Sequence, residues 1–240
     1  RGDYMGEKRM AEVDDPIFAN EQPVVYPFGP PVYIDRVLEE HVVELDNLIE
    51  EHGGKIEFDA SGILAGRIRK QTELNTLISD KLEHHIVKHC MRFNEHCRGN
   101  LEIGGGLHRA PLMQLDAVWS NIQEAREYNP PHMHTGHFSF VIYCRNDLEK
   151  YSLEELQDNE YDKPHDNKDG ERWGDNRKLA GLIELQYGEP NWMNWNTYQF
   201  VPRRGDIIIF PSWLRHTVYA HYQEDCVRVS VAGNVSIVGE

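Results

Sequence analysis

The sequence predicts a mainly β fold, a β-sandwich or jelly roll with helices buttressing one sheet. Two helical patterns lie in the first part of the 240-residue chain, and seven short β-like runs separated by turns follow Gly104-Gly105-Gly106. Chains of this length commonly form one all-β domain. We therefore expect a single domain over residues 1–240, with an extended segment and two supporting helices in 1–110 and a jelly-roll core in 111–240.

The first helix is predicted from about Asp35, because apolar residues recur at spacings of three and four up to Ile49 and Gly53-Gly54 ends the run. Before it, residues 1–22 are polar and lack periodicity, which predicts a loose terminus. Residues 24–33 have the pattern of a short extended segment.

A second helix is predicted from Thr72 to His96, with an apolar stripe on one side. His85 and His89 have the helical spacing of a metal-binding pair, but no glutamate completes a His-Glu-x-x-His pattern. The sequence therefore favours positions on the polar face of the helix for both.

The β-like runs alternate apolar and polar residues or are short and apolar, and turn residues bound them. They are Pro111–Trp119, Phe138–Tyr143, Leu182–Gln186, Tyr198–Val201, Ile207–Phe210, Thr217–Ala220 and Val227–Ile237. A polar insertion at 145–180 interrupts these runs. It begins at the end of the run Phe138–Tyr143, which itself follows a group of histidines. A loop this long is typically functional or disordered, and its position predicts a mobile lid. For the aromatic-rich run 191–198, core or sheet packing is favoured over a substrate cleft or a partner surface.

Composition excludes several classes of partner. The net charge of −15 argues against duplex nucleic acid and anionic membrane surfaces, and no apolar run approaches the ~18 residues of a membrane span. The four cysteines show no Cys-x-x-Cys pairing, so a disulfide framework is not expected. With no signal-peptide pattern at its start, the chain is expected in a reducing cytoplasm.

A candidate metal site begins with Asn129-Pro-Pro-His132-Met-His134, which leads into an apolar strand. Side chains two residues apart in an extended strand lie on the same face, about 7 Å apart. His132 and His134 can therefore converge on one ion, whereas His137 points the other way. Taken alone, the His-x-His pattern is equally compatible with surface histidines.

The C-terminal part supplies a second half of this site. Residues 205–216, Gly-Asp-Ile-Ile-Ile-Phe-Pro-Ser-Trp-Leu-Arg-His, combine a buried strand with a Pro-Ser turn that delivers His216. In the last strand, alternation places Arg228 and Ser230 on one face and valines on the other. An inward Arg228 requires an anion, either a small carboxylate ligand or a core Asp or Glu.

This ordered set, His132-x-His134, then Gly205 to His216, then Arg228-x-Ser230, resembles the iron(II)/2-oxoglutarate-dependent dioxygenases. It is most similar to a branch of oxygenases found in marine bacteria and their phages, which Trp119-Ser-Asn121 and the closing Ser230-Val-Ala-Gly-Asn234 also resemble. The likeness covers roughly residues 112–237, together with the Pro-containing entry and first helix near 28–50.

The resemblance implies a double-stranded β-helix, a cupin-like jelly roll, with Fe(II) bound by His132, His134 and His216. It also implies that Arg228 and Ser230, with Tyr143, bind the far carboxylate of the cofactor 2-oxoglutarate. Most of that superfamily has Asp or Glu where this chain has His134, since a two-histidine, one-carboxylate face is the usual arrangement. Asp116 or a carboxylate of the 145–180 loop is a candidate for the missing charge.

Three functions remain open at this point. The first is an oxygenase that couples decarboxylation of 2-oxoglutarate to hydroxylation of a small-molecule or peptidyl substrate. The second is a cupin-like three-histidine dioxygenase that uses no keto acid, against which Arg228 and Ser230 argue. The third is a non-catalytic, metal-stabilised jelly roll used for binding. The sequence identifies neither the substrate nor the oligomeric state.

Overall fold

Two antiparallel sheets enclose a shared apolar layer in the computed structural model, which describes residues 24–25, 29–62, 64–99, 111–152, 155–156, 181–189 and 196–239. The first half of the chain forms β1 (Val24–Val25), β2 (Val32–Arg36), α1 (Glu39–His52), β3 (Lys70–Glu73) and α2 (Asp80–Gly99). The second half forms β4 (Leu112–Gln123), β5 (Asn129–His132), β6 (Phe138–Asn146), β7 (Ile183–Gln186), β8 (Thr197–Phe200), β9 (Asp206–Pro211), β10 (Arg215–Val218) and β11 (Arg228–Gly239).

The larger sheet has the strand order β1-β2-β9-β6-β11-β4-β3, and the smaller has β5-β10-β7-β8. One face of the larger sheet packs against the helices, and the other packs against the smaller sheet. This mainly β architecture with two helices confirms the predicted jelly roll with a helical buttress.

Strand β11 is central to the larger sheet, pairing with β4 on one side and β6 on the other. Val229 and Val231 lie in the apolar cluster beneath the helices. Because side chains alternate along a strand, Arg228 and Ser230 lie on the opposite face, toward the smaller sheet, and both are buried. The alternation read from the sequence is confirmed.

Helix α1 ends where the sequence predicts, since the Gly53 N–H donates to the Ile49 carbonyl at 2.8 Å. Its apolar stripe reaches the sheet through Val42, Leu45 and Ile49. The amphipathic pattern is thus buried as expected.

The predicted start of the second helix at Thr72 is wrong. Lys70–Glu73 forms β3, which pairs with β4 along Lys70–Ile122 to Glu73–Trp119, and α2 begins only at Asp80. Strands β1 to β3 all come from the part of the chain before residue 111. The N-terminal part therefore extends the larger sheet as well as supplying its two helices.

The expectation that His85 and His89 lie on a polar face is also wrong. The two residues are 3% and 0% exposed, and their Nε2 atoms are 3.2 Å apart. His89 Nδ1 lies 2.6 Å from the hydroxyl of Tyr33, which in turn donates to Asp35 at 3.0 Å. These partners satisfy polar groups that would otherwise be costly to bury.

We expect the stability of the protein to fall as pH decreases below about 6.5. Burial, and then the nearby His85, Arg92 and His41, lower the pKa of His89 to about 2. The unfolded chain therefore takes up a proton between these values that the folded chain does not, which favours unfolding. Protonation of this one histidine lowers the free energy of unfolding by about 1.4 kcal/mol per pH unit. Urea unfolding between pH 7.5 and pH 5 measures this change. A His89→Leu variant should show a shallower dependence, and an unchanged slope would contradict the assignment.

Several sequence predictions fall outside the described residues. They include most of the 145–180 insertion, of which only Arg145–Ser152 and residues 155–156 are described, and most of the aromatic run 191–198. Residues 1–22 lie outside as well. Across the described ranges, neither helix is long and apolar enough to cross a membrane.

Candidate functional site

Three histidines meet at the open end of the space between the sheets. His132 ends β5 and pairs directly with His216 of β10, while His134 follows two residues after His132. One ring nitrogen from each of the three lies within 4.8 Å of the others. The fold thus brings His216, which is distant in the sequence, next to the predicted pair His132 and His134. His216 lies within β10, whereas the sequence reading placed it in the preceding turn.

Backbone carbonyls orient two of these rings. His132 Nδ1 lies 2.7 Å from the Pro130 carbonyl, and His216 Nδ1 lies 3.0 Å from the Leu214 carbonyl. A carbonyl can only accept, so each Nδ1 carries the proton and donates it. The Nε2 lone pair of each ring is then available as a ligand, the arrangement that fixes metal-binding histidines in proteins.

The environment keeps all three rings neutral near pH 7. Burial and the neighbouring His132 lower the pKa of His134 to about 4. Burial, aided by His132, lowers the pKa of His216 to about 3, and burial also lowers the pKa of His132 against the opposing effect of the Pro130 carbonyl. Neutral imidazoles are the form that binds metal, so the cluster requires no deprotonation to act as a ligand set.

Asp116 does not complete this cluster. Its side chain is exposed and accepts a hydrogen bond from Ser236 at 2.5 Å. Among the described residues, the group that could hold an ion consists of the three histidines alone. The suggestion that Asp116 supplies a carboxylate to the site is therefore wrong.

Arg228 is buried in the same cavity with an incomplete set of partners. Its Nη1 donates to the Gly181 carbonyl at 2.6 Å, but its Nε has no partner in the described part of the chain. Within the described ranges, the carboxylates that form ion pairs contact cations other than Arg228. The predicted alternative, a salt bridge from Arg228 to a core Asp or Glu, is therefore not observed among the described residues. Burial lowers the pKa of Arg228.

Tyr143 and Ser230 lie beside this guanidinium. They face each other across β6 and β11, and both line the cavity with the three histidines. The Tyr143 ring centre is 5.8 Å from the Arg228 guanidinium carbon, and the Tyr143 hydroxyl is buried without a partner among the described residues. Burial raises the pKa of Tyr143 to about 12, so the hydroxyl stays protonated and can donate.

Sequence reasoning missed a group of amide side chains in this cavity. Gln71, Asn121 and Asn129 line it together with the histidines and Arg228. They come from three strands, and only the pairing of β3 with β4 brings Gln71 to the site. Because the sequence predicted a helix from Thr72 and no strand at 70–73, no signal pointed to Gln71.

The arrangement fits both groups that the resemblance implied. Three oriented imidazoles suit a divalent first-row metal such as Fe(II). The unpartnered Arg228 Nε and Tyr143 hydroxyl are buried donors that lack an acceptor, and a carboxylate supplies acceptors for such groups. The cavity therefore offers a metal centre and an anion site side by side.

Comparisons with known proteins agree with this chemistry. Residues 117–234 match the family model described as "Putative 2OG-Fe(II) oxygenase". The fold is similar to that of OsALKBH1, with a TM-score of 0.53, 12% identity, and coverage of 88% of this chain and 99% of that one. It is also similar to an oxidoreductase of the 2OG-Fe(II) oxygenase family from Burkholderia pseudomallei, with a TM-score of 0.50, 11% identity, and coverage of 87% and 85%. A search of curated proteins finds no match.

This chain therefore resembles the 2OG-Fe(II) oxygenase superfamily in both its sequence and its fold. It is an Fe(II)/2-oxoglutarate-dependent oxygenase, and its cofactors are Fe(II) and 2-oxoglutarate. The matched segment runs from β4 to β11 and contains the three histidines, Arg228, Ser230 and Tyr143.

Proposed function

We propose that this enzyme hydroxylates a small-molecule or peptidyl substrate, with iron held by His132, His134 and His216. The observation that carries the proposal is the convergence of three neutral imidazoles beside a buried, incompletely partnered arginine. We further propose that the branch found in marine bacteria and phages is its nearest group, and that residues 1–240 form one domain.

Arg228, Ser230 and Tyr143 are proposed to bind the far carboxylate of 2-oxoglutarate. The guanidinium offers charge and a planar donor edge, and the two hydroxyls add neutral donors. Arg228 and Ser230 lie on one face of β11, while Tyr143 comes from the adjacent β6. Two rigid neighbouring strands therefore fix the position of the anion.

When bound, iron and the keto acid would supply the oxidising chemistry: O2 and 2-oxoglutarate would be consumed to give succinate and CO2, with the second oxygen atom of O2 inserted into a C–H bond of the substrate. Through the Pro130 and Leu214 carbonyls the protein holds two of the three neutral ligands, His132 and His216, in place. The apolar layer of Ile183, Phe210 and Val218 beside them excludes water from the enclosed side.

A keto-acid consumption assay tests the proposal. The purified protein with iron should convert 2-oxoglutarate to succinate, and a cognate substrate should gain one oxygen atom, detected by mass spectrometry. A three-histidine enzyme that uses no keto acid would oxidise its substrate without 2-oxoglutarate, which would contradict the proposed reaction.

Replacing Tyr143 by Phe should weaken 2-oxoglutarate binding without destabilising the protein. Because the hydroxyl has no partner in the described chain, its loss removes no internal hydrogen bond. We expect affinity to fall by about 0.5–1.5 kcal/mol, the value of one neutral hydrogen bond, and the melting temperature of the ligand-free protein to stay level or rise.

Tyr33→Phe is the matched control, because the Tyr33 hydroxyl bonds to His89 and Asp35 away from the site. The melting temperature of that variant should fall, and its affinity for 2-oxoglutarate should stay unchanged. If Tyr143→Phe behaves like Tyr33→Phe, the Tyr143 hydroxyl has a structural role only.

A further inference from the structure

The amide side chains that line the cavity form a second polar region beside the anion site. Gln71 on β3 lies opposite Asn121 on β4, which lies opposite Ser230 on β11. These three residues make a row across the larger sheet that runs from the proposed carboxylate site to the outermost strand. Gln71 Nε2 donates to Asn121 Oδ1 at 2.7 Å, which fixes both amides.

Asn129 reaches the same region from the smaller sheet. On β5, Asn129 pairs with Val218 and His132 pairs with His216 of β10. The two β5 residues are three positions apart, whereas their two partners are only two positions apart. This extra residue is a β-bulge, which turns Asn129 to the same side of the strand as His132. Asn129 therefore lines the cavity beside the metal-binding histidines.

Two acceptors in this region lack donors. Gln71 Oε1 and Asn129 Oδ1 are buried and have no hydrogen-bond partner among the described residues, and Gln71 as a whole is 2% exposed. Leaving such a group unsatisfied is costly. Both oxygens belong to side chains that line the cavity holding the histidines, so a ligand in that cavity is their natural source of donors.

The backbone at Gly66 holds these amides close. A Cβ built on Gly66 would lie 2.1 Å from Asn129 Oδ1 and 3.0 Å from Gln71 Nε2. The neighbouring Arg67 N–H donates to the Tyr128 carbonyl at 2.8 Å, which ties this segment to the residue before β5. The backbone at Gly66 therefore lies directly against Asn129 Oδ1 and close to the Gln71 amide.

The charges around the cavity limit the type of donor. None of its described lining residues is acidic, and Arg228 lies within it. Even with the doubly negative keto acid at Arg228, a divalent metal and the guanidinium leave the loaded cavity net positive, which disfavours a cationic amine or guanidinium. Neutral N–H donors satisfy Gln71 and Asn129 without this repulsion.

We propose that Gln71 Oε1 and Asn129 Oδ1 select a substrate that presents neutral amide N–H groups beside the metal. The inference rests on the proposed function, because it places the substrate beside the two amides and the keto acid at Arg228. A carboxamide-bearing metabolite and a peptide share this chemistry.

Binding is tested with the intact protein loaded with Fe(II) and 2-oxoglutarate under anaerobic conditions. The probes are primary alkyl amides of increasing length and capped tripeptide amides, each compared by calorimetry with the analogue in which ester linkages replace all of its amides. We expect amides to bind at least about tenfold more tightly than their esters, because a site with unpaired acceptors rejects analogues that lack donors. Tighter binding of the peptides indicates a peptidyl substrate, and tighter binding of the alkyl amides indicates a free metabolite.

Variants assign the preference to the named oxygens. Asn129→Leu and Gln71→Leu should each lose the amide preference, while Asn129→Asp should keep it because a carboxylate oxygen still accepts. Gln114→Leu, an exposed position on β4, is the matched control and should bind the probes like the unmodified protein. Melting temperatures show whether each variant is folded, and if Gln71→Leu does not fold, the contrast between Asn129→Leu and Asn129→Asp provides the test.

Equal binding of amides and esters, binding of neither, or a preference that survives both leucine substitutions would overturn this inference. Failure of the proposed function gives a different result, since the unmodified protein would then not bind iron and 2-oxoglutarate in the first place.

Discussion

Replacing His134 by Ala should abolish stoichiometric iron binding. The residue supplies one of the three ring nitrogens that lie within 4.8 Å of one another, and no carboxylate among the described residues joins this group. Two remaining imidazoles cannot hold the ion facially. Iron content after anaerobic loading and desalting, measured by mass spectrometry or a chelator assay, should fall from about one equivalent to near zero.

Two further variants test the role of His134. His137→Ala is the control, because this nearby histidine is exposed and its Nδ1 instead accepts from the Ile237 N–H at 3.1 Å. It should retain full iron content. His134→Asp creates the two-histidine, one-carboxylate set that is usual in iron oxygenases and should also bind iron. Full iron content in His134→Ala would show that another group provides the third ligand.

Replacing Arg228 by Lys should weaken 2-oxoglutarate binding while iron binding persists. Lysine keeps the positive charge but loses the planar pair of donors that matches a carboxylate. We expect the affinity to fall by about 1.5–3 kcal/mol, roughly 10- to 150-fold, the scale of a charge-assisted hydrogen bond. Titration of 2-oxoglutarate into the anaerobic iron protein, followed through the metal-to-keto-acid absorption band, measures the change.

Arg145→Lys is the matched control for this experiment. Arg145 precedes Asn146, the residue that pairs with Arg228, but it is exposed and bonds to Asp147 at 2.6 Å. Its substitution should leave the titration unchanged. A lower melting temperature with intact affinity in Arg228→Lys would make Arg228 a structural residue. Absence of the band in the unmodified protein at any keto-acid concentration would contradict the assignment of the anion site.

Sequence reasoning succeeded where a local pattern determines which way a side chain points. The alternation of β11 places Arg228 and Ser230 on the cavity side, and the β-like runs after residue 111 correspond to β4 and β6 to β11 with shifted ends. The helical period of residues 37–49 likewise identified the buried stripe of α1. In these segments the periodicity of the apolar residues is the same as the periodicity of burial.

It failed where tertiary pairing decides the outcome. Lys70–Glu73 has no strong strand pattern of its own and becomes β3 only because β4 offers an unpaired neighbour. His85 and His89 are buried because Tyr33 and Asp35 satisfy the polar end of the pair, and these partners come from β2. The cavity amides depend on the same long-range contacts. Propensity within a short window carries no information about such partners.

The position of β5 has a consequence for how the protein avoids self-association. This short strand lies at one edge of the smaller sheet. In the described fold an isolated bridge joins Arg67 to Tyr128, the residue before β5, but no strand pairs with the outer side of β5 itself. An edge strand of this kind is a template for pairing with a second chain and so for aggregation. Pro130 and Pro131 lack the N–H groups that such pairing requires. The same two prolines that lead to His132 therefore protect this edge from pairing with a neighbouring molecule.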